Sequence, residues 1–121
     1  MRMEQELKKL PAAFYATDSG KEPVREWLKD QTPDDRKVIG QDIATVEFGW
    51  PVGMPTCRPM GAGLWEVRSD LSDGRISRVL FCIAHGHMVL LHAFIKKTQK
   101  TPDAELTKAR KRQKKVEKND K

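Results

Sequence analysis

LWEVRSD (residues 64–70), GRISRVLFCIA (74–84) and HMVLLHAFIK (87–96) decide the fold of this chain. Each run is rich in β-branched, aromatic and aliphatic residues, which favour a pleated, packed surface. Ser72-Asp73-Gly74 lies before the second run and His85-Gly86 before the third, so tight turns would join the three as an antiparallel meander. The second and third runs are apolar on both faces. Both strands are therefore expected to be central in a sheet or covered on both sides.

Working outward toward the C-terminus, Thr101 and Pro102 open a last helix, with Asp103 and Glu105 in its first turn and Leu106 and Ala109 facing inward. On the N-terminal side, GWPVGMPTCRPMGAG (49–63) reads as an ordered but irregular loop because Pro and Gly interrupt any ladder. Ahead of it stands a clearly punctuated helix. Thr32 can cap it, Pro33 suits its first position, and Asp34 and Asp35 meet the positive end of the helix dipole. Ile39, Ile43 and Val46 form its apolar stripe, and Gly49 then Pro51 end it. A shorter helix of about two turns starts at Pro23, with Val24, Trp27 and Leu28 on one side. AAFYAT (12–17), closed by Asp18-Ser19-Gly20, reads as a first strand. The order β-α-α-β-β-β-α, without internal repeat, is that of an α+β chain. Its 121 residues are the size of one domain, 1–121, with a basic helix or tail from about residue 102.

Hydrophobic residues make up 38% of the chain, enough for a core and too many for a disordered segment. The net charge of +6 is unevenly placed. Residues 96–121 carry 11 Lys and Arg against 4 Asp and Glu, whereas residues 1–95 carry 12 against 13. Such clustering suits a polyanion or an acidic protein, although a solvated helix would also carry it. No apolar run is long enough to span a membrane and the first residues lack a signal-peptide pattern, so a cytoplasmic protein without membrane contact is expected. Cys57 and Cys82 have no CxxC spacing and read as buried structural thiols.

Strand alternation puts Glu66 and Arg68 on one face with Leu64, and Arg78 on one face with Ile76, Leu80 and Cys82. An arginine inside an apolar strand is costly unless it pairs or works, and pairing with Glu66 weighs about evenly against function. Lys96, Lys97 and Lys100 crowd the end of the last strand, where they would attract phosphate or simply guard the edge. His92 alternates with Leu90 and Phe94. It is an acid–base candidate, but a hydrogen-bonded core histidine is the commoner case. No His, Cys, Asp or Glu grouping has metal-ligand spacing, so no metal or other cofactor is expected. P-loop, GxGxxG, GxSxG and HExxH motifs are absent from the sequence.

Taken together, GLWEVRSDLSDGRISRVLFCI and LLHAFIKKTQKTP resemble the RelE/ParE toxin superfamily, most closely its phage-derived HigB-like branch. That branch commonly carries an LWE(L/I/V)R strand, an RVLF strand and an HxFxKKxxKTP ending. The likeness runs over roughly residues 10 to 115, and the ordered set of motifs is far more specific than any one of them. It implies a RelE-like fold: a small antiparallel sheet, two N-terminal helices on one face and a basic C-terminal helix nearby.

The resemblance also implies a toxin of a type II toxin–antitoxin pair that enters the ribosomal A site and cuts mRNA without a metal. In that reaction the 2′-hydroxyl attacks the adjacent phosphate, so the site needs a base, cations and an acid. Position by position, Arg78 matches the arginine at the scissile phosphate, Arg68 a second, partly structural arginine, and Lys96 and Lys97 the basic residues after the last strand. Glu66 falls at a polar position of varying identity. Thr98 and Gln99 stand where better-studied branches place a Tyr or His acid, and His92 is one candidate to fill that role. Lys100, Arg75, Lys108 and Arg112 complete the expected RNA-binding set. The implied partners are a HigA-like helix-turn-helix antitoxin, the ribosome and mRNA. A ParE-like toxin of DNA gyrase shares the fold and stays open, as does a non-catalytic nucleic-acid-binding module.

Overall fold

In the computed structural model, which describes residues 8–119, the three decisive segments lie at the centre of a five-stranded sheet. The elements are β1 (Ala12–Phe14), α1 (Pro23–Lys29), α2 (Pro33–Gly49), β2 (Cys57–Gly61), β3 (Leu64–Asp70), β4 (Ile76–Ala84), β5 (His87–Lys96) and α3 (Asp103–Asn119), with a 3₁₀ turn at Ser72–Gly74. The strand order is β1-β5-β4-β3-β2. β2 through β5 form an antiparallel meander. The result is an α+β fold compatible with the RelE-like architecture.

Two features differ from the sequence expectation. The sheet is mixed, because β1 pairs in parallel with β5, placing Ala12 opposite Met88 and Phe14 opposite Leu90. A chain that leaves β1 through two helices and returns only after three intervening strands has no hairpin to force an antiparallel partner. Second, the Pro- and Gly-rich stretch is not wholly irregular, since Cys57–Gly61 forms β2 at the sheet edge. Among the described residues β2 pairs only with β3, so the missing N–H of Pro59 is tolerated. Trp50 anchors the rest of that stretch edge-on against Trp65, at 4.9 Å between ring centroids.

α2 starts as its sequence dictates, with the Thr32 hydroxyl accepting from the Asp35 N–H at 3.2 Å. Arg75 grips the Asp35 carboxylate with two bonds, at 2.8 and 3.1 Å, and so ties the β3–β4 turn to this helix. The β4–β5 turn places both His85 (φ 53°) and Gly86 (φ 74°) in the left-handed region, which suits a two-residue hairpin.

Both faces of the sheet are covered. Val24, Ile39, Ile43 and Val46 of α1 and α2 pack on Val67, Val79, Phe81, Met88 and Leu90. On the opposite face Leu106, Ala109 and Val116 of α3 pack on Leu64, Leu80, Cys82, Leu91 and Phe94. Leu106 and Val116 are only partly buried, so α3 is also held by polar ties: Arg110 donates to the Met60 and Gly61 carbonyls at 2.8 Å, and Gln113 donates to the Ala62 carbonyl at 2.7 Å. Cys57 and Cys82 are buried on opposite faces, and burial pushes the Cys57 thiol up to about 11, as expected for inert core residues.

β5 carries one extra residue. Leu80 pairs with His92 while its neighbour Phe81 pairs with Leu90, so Leu91 is a bulge. Alternation breaks there: Leu90 joins the first core layer and Leu91 the second. Leu90 and His92 therefore do not share a face, as simple alternation required. Among the described residues no helix is long and apolar enough to cross a membrane.

Candidate functional site

The strand register gathers most of the candidates on the α3 face. Arg58 lies opposite Glu66, Arg68 opposite Arg78, Arg78 opposite Phe94, and Ile76 opposite Lys96. Two guanidinium groups thus flank one carboxylate, and Arg58 holds the register position opposite it. Glu66 Oε1 is 3.9 Å from Arg68 Nε and 3.9 Å from Arg78 Nε.

Arg78 has no exposed surface. Its Nη2 donates to the backbone carbonyls of Thr98 and Gln99, the latter at 2.8 Å. Its guanidinium lies 5.8 Å from the Phe94 ring centroid. Nε and Nη1 of Arg78 and Oε1 of Glu66 make no hydrogen bond. Burial pushes the Arg78 pKa below its ordinary value; the Glu66 charge opposes this, and Arg68 and Arg58 reinforce it. The group nonetheless stays a cation, because a guanidinium does not deprotonate in proteins.

Residues 97–101 fold back over this cluster like a strap. Arg78 holds its carbonyls, the Gln99 side chain accepts from Arg68 Nη2 at 3.2 Å, and the Thr101 hydroxyl donates to Glu66 Oε2. Lys96, Lys97 and Lys100 remain exposed along the strap and its root. Beside Arg68 and Gln99 opens a cleft of about 400 Å³, walled by Asp42, Thr56 and Asp70. Chemically, the arrangement offers exposed ammonium groups beside buried and half-buried guanidiniums, which suits a phosphodiester.

His92 is not part of that cluster. Its ring stacks on Phe94 at 5.9 Å, on the same ring that Arg78 approaches, and its Nε2 lies 2.6 Å from Glu105 Oε1. Burial lowers its pKa; Glu105 opposes that, while Arg112 and Lys108 add to it. The neutral ring thus keeps its proton on Nε2, directed at Glu105, and leaves Nδ1 toward Arg112 Nη1 at 3.5 Å. Lys108 and Arg112, on α3, line a groove with His92 that does not include Arg78. Arg75 stands apart from both groups, committed to Asp35 and the 3₁₀ turn.

Sequence reading missed Arg58, which sits in the stretch expected to be a loop. Its only signal was position, as the polar residue between Cys57 and Pro59. It also missed the side-chain ties of Gln99 and Thr101, which join residues about 30 apart and leave no local pattern. Among the described residues no three His, Cys, Asp or Glu side chains gather to hold a metal.

A search of curated proteins finds no match to this sequence. The family model described as "Phage derived protein Gp49-like (DUF891)" matches residues 26–114, a span that includes every arginine and lysine of the cluster and the strap. The chain therefore belongs to the Gp49-like family of phage-derived proteins, part of the RelE/Gp49 toxins and associated with toxin–antitoxin pairs.

Proposed function

We propose that this protein is a ribosome-dependent endoribonuclease toxin, held in check by a HigA-like helix-turn-helix antitoxin. The observation that carries the reading is the convergence of Arg58, Arg68 and Arg78 under a strap bearing Lys96, Lys97 and Lys100. Cations gathered at one end of the sheet suit the charge that accumulates on a phosphate when a 2′-hydroxyl attacks it and the 5′-oxygen leaves. Inhibition of gyrase by surface contact would need no such convergence.

In this reading the exposed lysines collect RNA, and Arg68 and Arg58 at the rim meet the phosphate. Arg78 acts through the strap: it fixes the Thr98 and Gln99 backbone, and with it the direction of the lysines. It is a positioning residue in the state seen here. Glu66 offsets the repulsion between Arg68 and Arg78, and Thr101 orients Glu66. His92, pinned by Glu105, lies outside this site and takes no part in the step.

The test is cleavage of ribosome-bound mRNA by purified protein, with gyrase supercoiling measured in parallel. Cutting confined to translated message supports the proposal. Intact message together with blocked supercoiling would replace it with the gyrase reading.

A further inference from the structure

α3 has a second flank, facing β5 and the residue after β1, that the reaction does not use. Tyr15, His92, Lys108, Lys111, Arg112 and Lys115 line a groove there of about 480 Å³. Arg112 is fixed in its wall, donating from Nη1 to the carbonyl of the bulged Leu91 at 2.7 Å and lying 5.7 Å from the Tyr15 ring centroid. Lys108, Lys111 and Lys115 are exposed. Two acids reach the groove: Glu105, bound to His92, and Asp18, 3.5 Å from Lys115 Nζ. Four cations thus face two carboxylates, one of them already engaged by the imidazole.

We infer that this groove is a second phosphate-binding site, which takes a stretch of single-stranded RNA backbone away from the cluster around Arg78. Lys108, Lys111, Arg112 and Lys115 recur at i, i+3, i+4 and i+7, so they form one row along the helix. At about 1.5 Å per residue the row is roughly 10 Å long, the axial length of about three nucleotides stacked at about 3.4 Å each. An acidic peptide fits less well. Protein partners anchor by apolar or aromatic side chains in pockets, whereas here Tyr15 is buried beneath Arg112 and nothing aliphatic lines the groove. Phe94 and the body of α3 separate this row from the strap, so RNA held at both places would straddle the helix.

The site deepens the nuclease reading but is tested without cleavage. The probe is a 2′-O-methylated RNA 12-mer, which has no 2′-hydroxyl to attack, and its binding is followed by fluorescence anisotropy across a salt series. Replacing Lys108, Lys111 and Lys115 together by Ala should weaken binding at least tenfold at low salt. With about 0.7 counterions released per single-strand phosphate, the slope of log K against log salt should fall by about 2. Replacing the same three by Arg should keep both. The three side chains are exposed, so melting should not change, and that is checked first. An unaltered slope in the Ala variant, no binding by the wild type, or displacement of the probe by an equally charged poly-glutamate peptide that binds more tightly would each overturn the inference. Loss of ribosome-dependent cutting in the wild type, with the slope change intact, would instead remove the nuclease reading and leave this site standing.

Discussion

Arg78 and Glu66 face each other across adjacent strands at 3.9 Å, Nε to Oε1, with neither side chain exposed and no hydrogen bond between those two atoms. A buried pair with unmet donors gains less than its charges suggest, because both ions have left water. Removing Arg78 is a different matter, since buried Glu66 then keeps only Arg68 as counter-ion and the strap carbonyls lose their donor.

Arg78→Ala should therefore lose stability by about 3–5 kcal/mol, the usual cost of breaking a buried pair, and lose cleavage with it. The double variant Arg78→Leu with Glu66→Leu should recover much of the melting temperature while staying inactive, because an apolar pair fills the site but cannot hold the strap. Thermal melting followed by circular dichroism decides this. An Ala variant that melts and cuts like the wild type would separate Arg78 from both roles.

Lys96→Ala and Lys97→Ala change exposed side chains, so each should alter stability by no more than about 0.5 kcal/mol. Their effect should appear in RNA binding, as a weaker Kd and a shallower salt dependence. Single-turnover cutting on saturating ribosomes then separates capture from chemistry. Equal cutting and equal salt slopes in the double variant would exclude both lysines from the RNA interface.

Arg75→Ala should lower the melting temperature and leave the salt slope of RNA binding unchanged, because this guanidinium is committed to Asp35. Arg75 holds the Asp35 carboxyl below its ordinary value, the hydrogen bond being the main cause. The sign follows: the contribution is present above the ordinary carboxylate range and disappears as pH falls through the lowered folded value. The melting difference between wild type and variant should thus close in strong acid. A difference that persists there, or a changed salt slope, would contradict this assignment.

Acidification below the ordinary histidine range should destabilise the fold through His92. Burial depresses its folded pKa, so the unfolded chain binds the proton more readily and stability falls as pH drops through about 6.5. His92→Gln should flatten that part of the profile. Melting curves between pH 5 and pH 8 read it directly, and an equal acid loss in the variant would assign the effect elsewhere.

Cutting should not depend on an added transition metal, because guanidinium and ammonium groups that converge on a phosphate repel a divalent ion. Metal replacement that keeps ribosomal magnesium in place is the appropriate assay. Strict dependence on zinc or manganese would point to ligands outside this cluster.

Much of this was legible in the sequence where the signal is local. Thr32, Pro33 and the Ile39-Ile43-Val46 stripe define α2 by capping and period. The turns at Gly74 and Gly86 delimit the central strands. What escaped depends on contacts distant in sequence. β2 has an edge position and a proline, so neither alternation nor propensity marks it. The parallel partnership of β1 depends on how two helices cross the sheet. The burial of Arg78 results from carbonyls about 20 residues away, and a strand pattern can say that an arginine is inside without saying what covers it.

The extra residue at Leu91 sets the parity of everything after it. Upstream of the bulge, Met88 and Leu90 face α1 and α2; downstream, His92, Phe94 and Lys96 face the side of α3. Position 91 thus works as a reading-frame marker written in three dimensions: deleting that one codon would restore plain alternation and leave His92, Phe94 and Lys96 on the side they already face, whereas pairing Leu91 into a regular ladder would hand all three to the opposite side of the molecule.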